Sequence, residues 1–259
     1  MINFSCITPH PPIIIPGIGR PDDLKMVSKT ISAMEKLRED LEKENPDTIL
    51  IISPHAPTDP NGFLINSEAE LKGSLIDFGL DEDFSFKNDY ELMEKIGYQT
   101  GLAGITVHFH ESFLDHGALV PLHYLTKNLK PKIVHCSFSF LDFKTHYKYG
   151  EIIGKILRES DKKIAVVASG DLSHRLTPDA PAGYSPKGKE FDDKLIELLS
   201  KNDINGILNL DPELIEEAGE CGLRSIIILL GILQGKYEFC CLNYEGPFGV
   251  GYLAAELRK

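Results

Sequence analysis

Three histidines of this chain follow strand-like apolar runs, each in a turn-like setting. Residues 2–7 lead into Thr8-Pro9-His10-Pro11-Pro12, residues 48–52 into Ser53-Pro54-His55-Ala56-Pro57, and residues 164–168 into Ser169-Gly170-Asp171-Leu172-Ser173-His174. In an open α/β sheet, groups beyond the carboxyl ends of parallel strands converge on one crevice, where ligands bind. Imidazole is the commonest metal ligand and a general base suited to neutral pH. Three histidines in one structural position therefore point to a metal or acid/base site. The prolines beside His10 and His55 fix φ and stiffen the backbone, which suits ligands whose geometry must be held closely. Asp171 is placed to orient an imidazole or a neighbouring side chain.

A two-histidine metal site needs further donors. Glu216, Glu217 and Glu220 fall together in IEEAGECG, residues 215–222. The first two read as a solvated helix end. Glu220 is flanked closely by glycines and precedes an apolar helix, which places it near the interior, where a carboxylate needs pairing or a metal. Cys221 beside it is a second candidate ligand. Two histidines and a carboxylate with open positions form the facial triad of non-haem Fe(II) oxygenases. Zinc hydrolases use the same donors, so spacing leaves the metal open.

The remaining histidines carry weaker signals. His116 lies in Leu114-Asp115-His116-Gly117 before an apolar helix, where Asp and Gly are also ordinary capping residues. His108 and His110 alternate along a strand, and a half-exposed sheet edge explains them. His123, His135 and His146 read as structural or surface residues. The tail YEGPFGVGY, residues 244–252, is glycine-rich, but a strand follows it and GxxxxGK[ST] is absent. It reads as a tight turn that lets backbone approach a pocket.

The elements that must position these groups alternate between strand and helix. Strands are expected at 2–7, 48–52, 63–66, 70–75, 106–110, 133–138, 164–168, 239–243 and 249–256. Helices are expected at 24–44, 89–100, 118–126, 146–158, 187–200, 212–217 and 223–233. The strand–helix–strand start implies a right-handed parallel crossover. No repeat, low-complexity tract or linker interrupts the 259 residues. The expected fold is α/β, a single domain with a central mostly parallel or mixed sheet flanked by helices.

Composition narrows the function classes. Lys+Arg total 27 against Asp+Glu 39, a net charge of -12 that disfavours nucleic acid and anionic membranes as partners. The longest aliphatic stretch, 226–233, is too short to span a bilayer. The chain begins almost directly in a strand, with no leader pattern. Five cysteines without CxxC spacing fit reduced thiols, and a cytoplasmic location is expected.

Taken together, the motifs resemble those of the class III extradiol ring-cleavage dioxygenases, the LigB catalytic-subunit superfamily. Within it the likeness is greatest to the AmmeMemoRadiSam-associated bacterial branch. The resemblance runs nearly end to end. It rests on TPHPP (8–12), SPHAP (53–57), LDHGALVPL (114–122), SGDLSHRL (169–176), APAGY (180–184), EAGECGLRS (217–225) and YEGPFGVGY (244–252).

That resemblance implies one LigB-like domain over residues 1–259, with His10, His55 and Glu220 as metal ligands and Fe(II) as the metal. It implies His174 as the acid/base group and His116 as a second histidine contacting substrate or oxygen. The implied partners are a small aromatic substrate and O2, with a homo-oligomer and an AmmeMemoRadiSam-system partner protein. Memo-type relatives share the fold but place a cysteine at the metal site, so Cys221 stays open beside Glu220. Three functions follow: an extradiol dioxygenase acting on a catechol-like ring, a Memo-like metal- or partner-binding protein, and a zinc-dependent hydrolase on the same scaffold.

Overall fold

In the computed structural model, which describes residues 1–258, the apolar runs pair side by side. The strands are β1 (Ile2–Thr8), β2 (Thr48–Ser53), β3 (Phe63–Asn66), β4 (Glu70–Leu75), β5 (Leu80–Lys87), β6 (Val107–His110), β7 (Lys132–Ser137), β8 (Ile164–Ser169), β9 (Glu238–Glu245) and β10 (Tyr252–Arg258). Eight of them form one sheet in the order β6-β3-β7-β2-β8-β1-β10-β9, while β4 and β5 form a separate hairpin. The centre is parallel: β7, β2, β8 and β1 run side by side in one direction. Antiparallel pairs join β3 to β7, β10 to β1 and β9 to β10, which makes the sheet mixed.

The helices are α1 (Pro21–Met26), α2 (Ser28–Glu44), α3 (Tyr90–Leu102), α4 (His116–Leu125), α5 (Phe143–Arg158), α6 (Pro186–Ser200), α7 (Ile204–Leu208), α8 (Pro212–Ala218) and α9 (Leu223–Leu233). Alternate strand residues feed opposite faces, as a period of two requires. Ile164, Val166 and Ala168 of β8 enter one core with α5, α6 and α9, whereas Ala165 and Val167 enter the other with α2 and α4. Both faces are covered, so the central strands read as continuous apolar runs. On the first face α5 and α9 touch backbone to backbone. A Cβ added at Gly150 would collide with the Ile228 carbonyl oxygen.

Several boundaries differ from the expectation. The helix expected at 24–44 divides at Val27, which leaves helical geometry (φ -103, ψ 17) and is fully buried. Strand β5 lies outside the expected set, because Asp81, Glu82 and Asp83 break its apolar pattern; pairing with β4 supplies what its sequence lacks. Short α7 is a further addition; the Asp203 side chain caps it by accepting from Gly206 N–H. Helices α4 and α5 begin two and three residues earlier than periodicity suggests, because Asp115 and Asp142 cap them. Among the described residues no helix is long and apolar enough to cross a membrane.

Candidate metal centre and active site

Strands β2, β8 and β1 are immediate neighbours, so His55, His174 and His10 leave adjacent strand ends on the same edge of the sheet. His10 is buried and held at three points. Its N–H donates to Asp171 Oδ1 at 3.0 Å, its Nδ1 lies 2.9 Å from Ser169 Oγ, and its Nε2 lies 3.0 Å from His55 Nε2. Ser169 Oγ donates its own proton to the Gly117 carbonyl, 2.5 Å away. It therefore accepts from His10 Nδ1–H, which fixes the tautomer and leaves the Nε2 lone pair facing His55.

His116 completes the group. The ligand atoms of His10, His55 and His116 all lie within 4.8 Å of one another. The His55 and His116 rings stack with centroids 4.2 Å apart. Exposure grades outward, from buried His10 through half-buried His116 to exposed His55. Gly117 has to be small here, since a Cβ would stand 2.5 Å from Ser53 Oγ and 3.2 Å from the His55 ring. Asp115 sets the start of α4 and so the place of His116. Its Oδ1 accepts from Ser53 Oγ at 2.5 Å and from Ala118 N–H at 3.2 Å, and its Oδ2 lies 3.2 Å from His135 Nε2. His135, structural on its sequence context, carries no local signal for this contact. The strand pairing of β2 with β7 brings it to the site.

His174 is held by the helix that ends beside it. Its Nδ1 lies 2.8 Å from the Gly219 carbonyl, so Nδ1 carries the proton and Nε2 is the free acceptor. The loop bearing it is laced to the glycine-rich tail: Leu172 N–H donates to Gly251 O, Gly251 N–H to Ser173 O, and Leu176 N–H to Gly249 O. Tyr244 anchors the same tail through its hydroxyl, which donates to Asp192 Oδ2 at 2.6 Å. The tail therefore acts as backbone scaffold for His174.

The Glu220–Cys221 turn abuts the centre, with its two side chains in different places. Cys221 Sγ lies 3.6 Å from His10 Nε2. The Glu220 carboxylate instead accepts from Leu223 N–H at 2.6 Å, at the start of α9. It lies outside the three-histidine group, where the resemblance implies a ligand. Two glycines bring the turn this close, since a Cβ on Gly170 would collide with Gly222 Cα.

Burial governs the charge states. Burial, then His55 and His116, push the His10 imidazole well below its ordinary range. Burial lowers His55, His116 and His174 as well. Burial pushes the Asp171 and Glu220 carboxyls up to about 7 and holds Cys221 well toward the thiol. For Asp115 burial raises the pKa, but His135, Ser53 and His10 together outweigh it and keep the group ionised. Neutral imidazoles offer lone pairs with no proton to displace. Two nitrogens each about 2.1 Å from one ion and at right angles to it would stand about 3 Å apart, as His10 and His55 do. The residues present fit a divalent metal.

A cavity of about 950 Å³ opens on His55 and His116 and runs along the β4–β5 hairpin. Phe78, Phe84 and Phe113 line it, with Phe78 centred 5.2 Å from the His116 ring.

Comparison with known proteins agrees with the α/β fold. The family described as catalytic LigB subunit of aromatic ring-opening dioxygenase matches residues 5–254. Protein CA_C1420 of Clostridium acetobutylicum is 36% identical over 97% of the chain, and the chain spans 56% of that protein's length. The 3,4-dihydroxyphenylacetate 2,3-dioxygenase of Escherichia coli is 28% identical over 74% of the chain and 76% of its own length. The crystal structure of an uncharacterised Escherichia coli K12 protein, JW3007, superposes with a TM-score of 0.72 over 98% of both chains at 18% identity, which shows the shared fold.

Proposed function

This chain belongs to the LigB family, and from that premise we propose that it is an Fe(II)-dependent extradiol-type dioxygenase opening the ring of a catechol-like aromatic compound with O2. The observation that supports this most is the set of three neutral histidines, His10 and His55 from adjacent strand ends and His116 from the start of α4, gathered beside an aromatic-walled cavity. A bound ferrous ion would supply the redox chemistry that joins an aromatic diol to O2, and the positive charge that favours a phenolate.

The chain's own residues divide the remaining work. His10 and His55 would hold the ion. Ser169 orients the His10 ring, and Asp171 holds its backbone. His174 takes the phenolic proton on Nε2, because the Gly219 carbonyl holds its Nδ1–H. His116, which lines the cavity together with His55, either serves as the third ligand, as its distances favour, or hydrogen-bonds substrate or oxygen while Glu220 ligates. Metal content of H116A, E220Q and C221S separates these assignments. The homo-oligomer, the AmmeMemoRadiSam partner and the cytoplasmic setting belong to the same reading, and sedimentation and co-purification test the first two.

Protein loaded with Fe(II) without air consumes O2 on addition of a catechol, in proportion to iron content. Full iron occupancy with no O2 uptake across a broad catechol panel overturns the reading. The Cys221 sulfur beside His10 would then favour a Memo-like metal-binding role. Activity that tracks zinc and ignores oxygen would instead assign a hydrolase.

A further inference from the structure

The cavity beside the histidines is larger than one catechol ring requires and falls within the range of small-molecule sites. It has room for a side arm on the ring, and the hairpin sets the charge that such an arm meets. Four charged side chains line the cavity: Lys72, Asp77, Asp83 and Asp115. Asp115 is already engaged by Ser53, Ala118 and His135. The Lys72 ammonium lies 3.0 Å from the Glu70 carboxylate, which neutralises it. Asp77 and Asp83 have neither a hydrogen-bond nor an ion-pair partner for their carboxylates among the described residues. Asp83 stands opposite Ser74 in the hairpin register, on the face that bears Lys72. The uncommitted charge at this wall is thus two carboxylates and no cation.

We infer that this cavity takes an aromatic diol whose side arm carries an ammonium group, in preference to one carrying a carboxylate. The inference rests on the ring-cleavage reading and adds the substrate class to it. The ring enters toward His55 and His116, against Phe78 and Phe113. The arm lies along the hairpin, where an ammonium meets Asp77 and Asp83 and a carboxylate meets repulsion. The chain's net charge of -12 acts in the same sense at longer range. Both carboxylates are exposed, so the preference is moderate and sensitive to salt.

The test is binding to the Fe(II)-loaded protein without air, using dopamine, 3,4-dihydroxyphenylacetate and neutral ethylcatechol as probes. Dopamine binds about tenfold more tightly than the acid at low ionic strength, and the ratio shrinks as salt is added. In the double variant Asp77→Asn with Asp83→Asn the ratio collapses toward one while ethylcatechol binds as before, which also reports an intact fold. Lys72→Met leaves the preference in place. An acid that binds as well as the amine to the unaltered protein, or weakens on loss of Lys72, overturns the inference. If ethylcatechol binds and charge makes no difference, the inference alone falls. If no catechol binds, the ring-cleavage reading falls and takes the inference with it.

Discussion

The two sides of the candidate site are built differently. On the His10–His174 side every orienting contact is made: His10 by Asp171 and Ser169, His174 by Gly219, and the loop between them by Gly249 and Gly251. Backbones there approach until no Cβ fits, as at Gly170 against Gly222. On the hairpin side, Phe78, Phe113, Asp77 and Asp83 stand exposed, and a backbone bond, Leu114 N–H to Lys72 O at 2.7 Å, ties the flanking segment to β4. The difference separates two tasks. Groups that move protons or hold a metal must be locked in place ahead of substrate, while a wall that recognises a side arm can stand on an exposed surface element.

Substitutions sharpen that contrast. The largest effect is expected at His174. His174→Ala lowers turnover by about 10²- to 10⁴-fold, the usual worth of a positioned acid/base group, with iron content unchanged. Loss of iron with activity would make it a ligand instead. Next comes packing on the locked side. Gly170→Val forces a side chain into the Gly222 backbone and costs about 3 kcal/mol or more. Melting temperature and metal content fall together; a variant as stable as the parent would show that the loop yields.

A third test uses pH. Asp192, buried beside Tyr244 and Ser173, has its carboxyl pushed up to about 6 by burial. Its folded-state pKa lies above its unfolded value, so the folded form retains the proton. The stability this confers is complete below about pH 4 and is lost as pH rises through 6. The parent loses on the order of 2 to 3 kcal/mol over that interval relative to Asp192→Asn, measured by denaturant unfolding of metal-free protein. Parallel pH profiles for the two proteins would refute this.

Much of the locked side is legible in the sequence. Strands β1, β2 and β8 announce themselves as apolar runs because both faces are covered, and each leads into a loop that carries a histidine. The hairpin side is harder to read. Strand β5 carries Asp81, Glu82 and Asp83 in succession, so its extended form comes from pairing with β4 and not from its own pattern. Asp115 has the look of an ordinary helix cap, and it is one. Its contact with His135 spans different elements, and nothing local marks it.

By itself the sequence determined which chemical groups follow the strands, and the continuous apolar runs that bury those strands on both faces. Those are local properties: side-chain identity, an unbroken apolar pattern, and prolines and glycines that fix turns. Tertiary structure alone decided which donors meet. Helix α4 delivers His116 to His10 and His55 across separate elements, and the close Gly170–Gly222 contact presents Cys221 to His10 while Glu220 turns to the start of α9. Adjacent residues point in different directions, and distances across the site sum the packing of several elements, so neither can be read from local pattern.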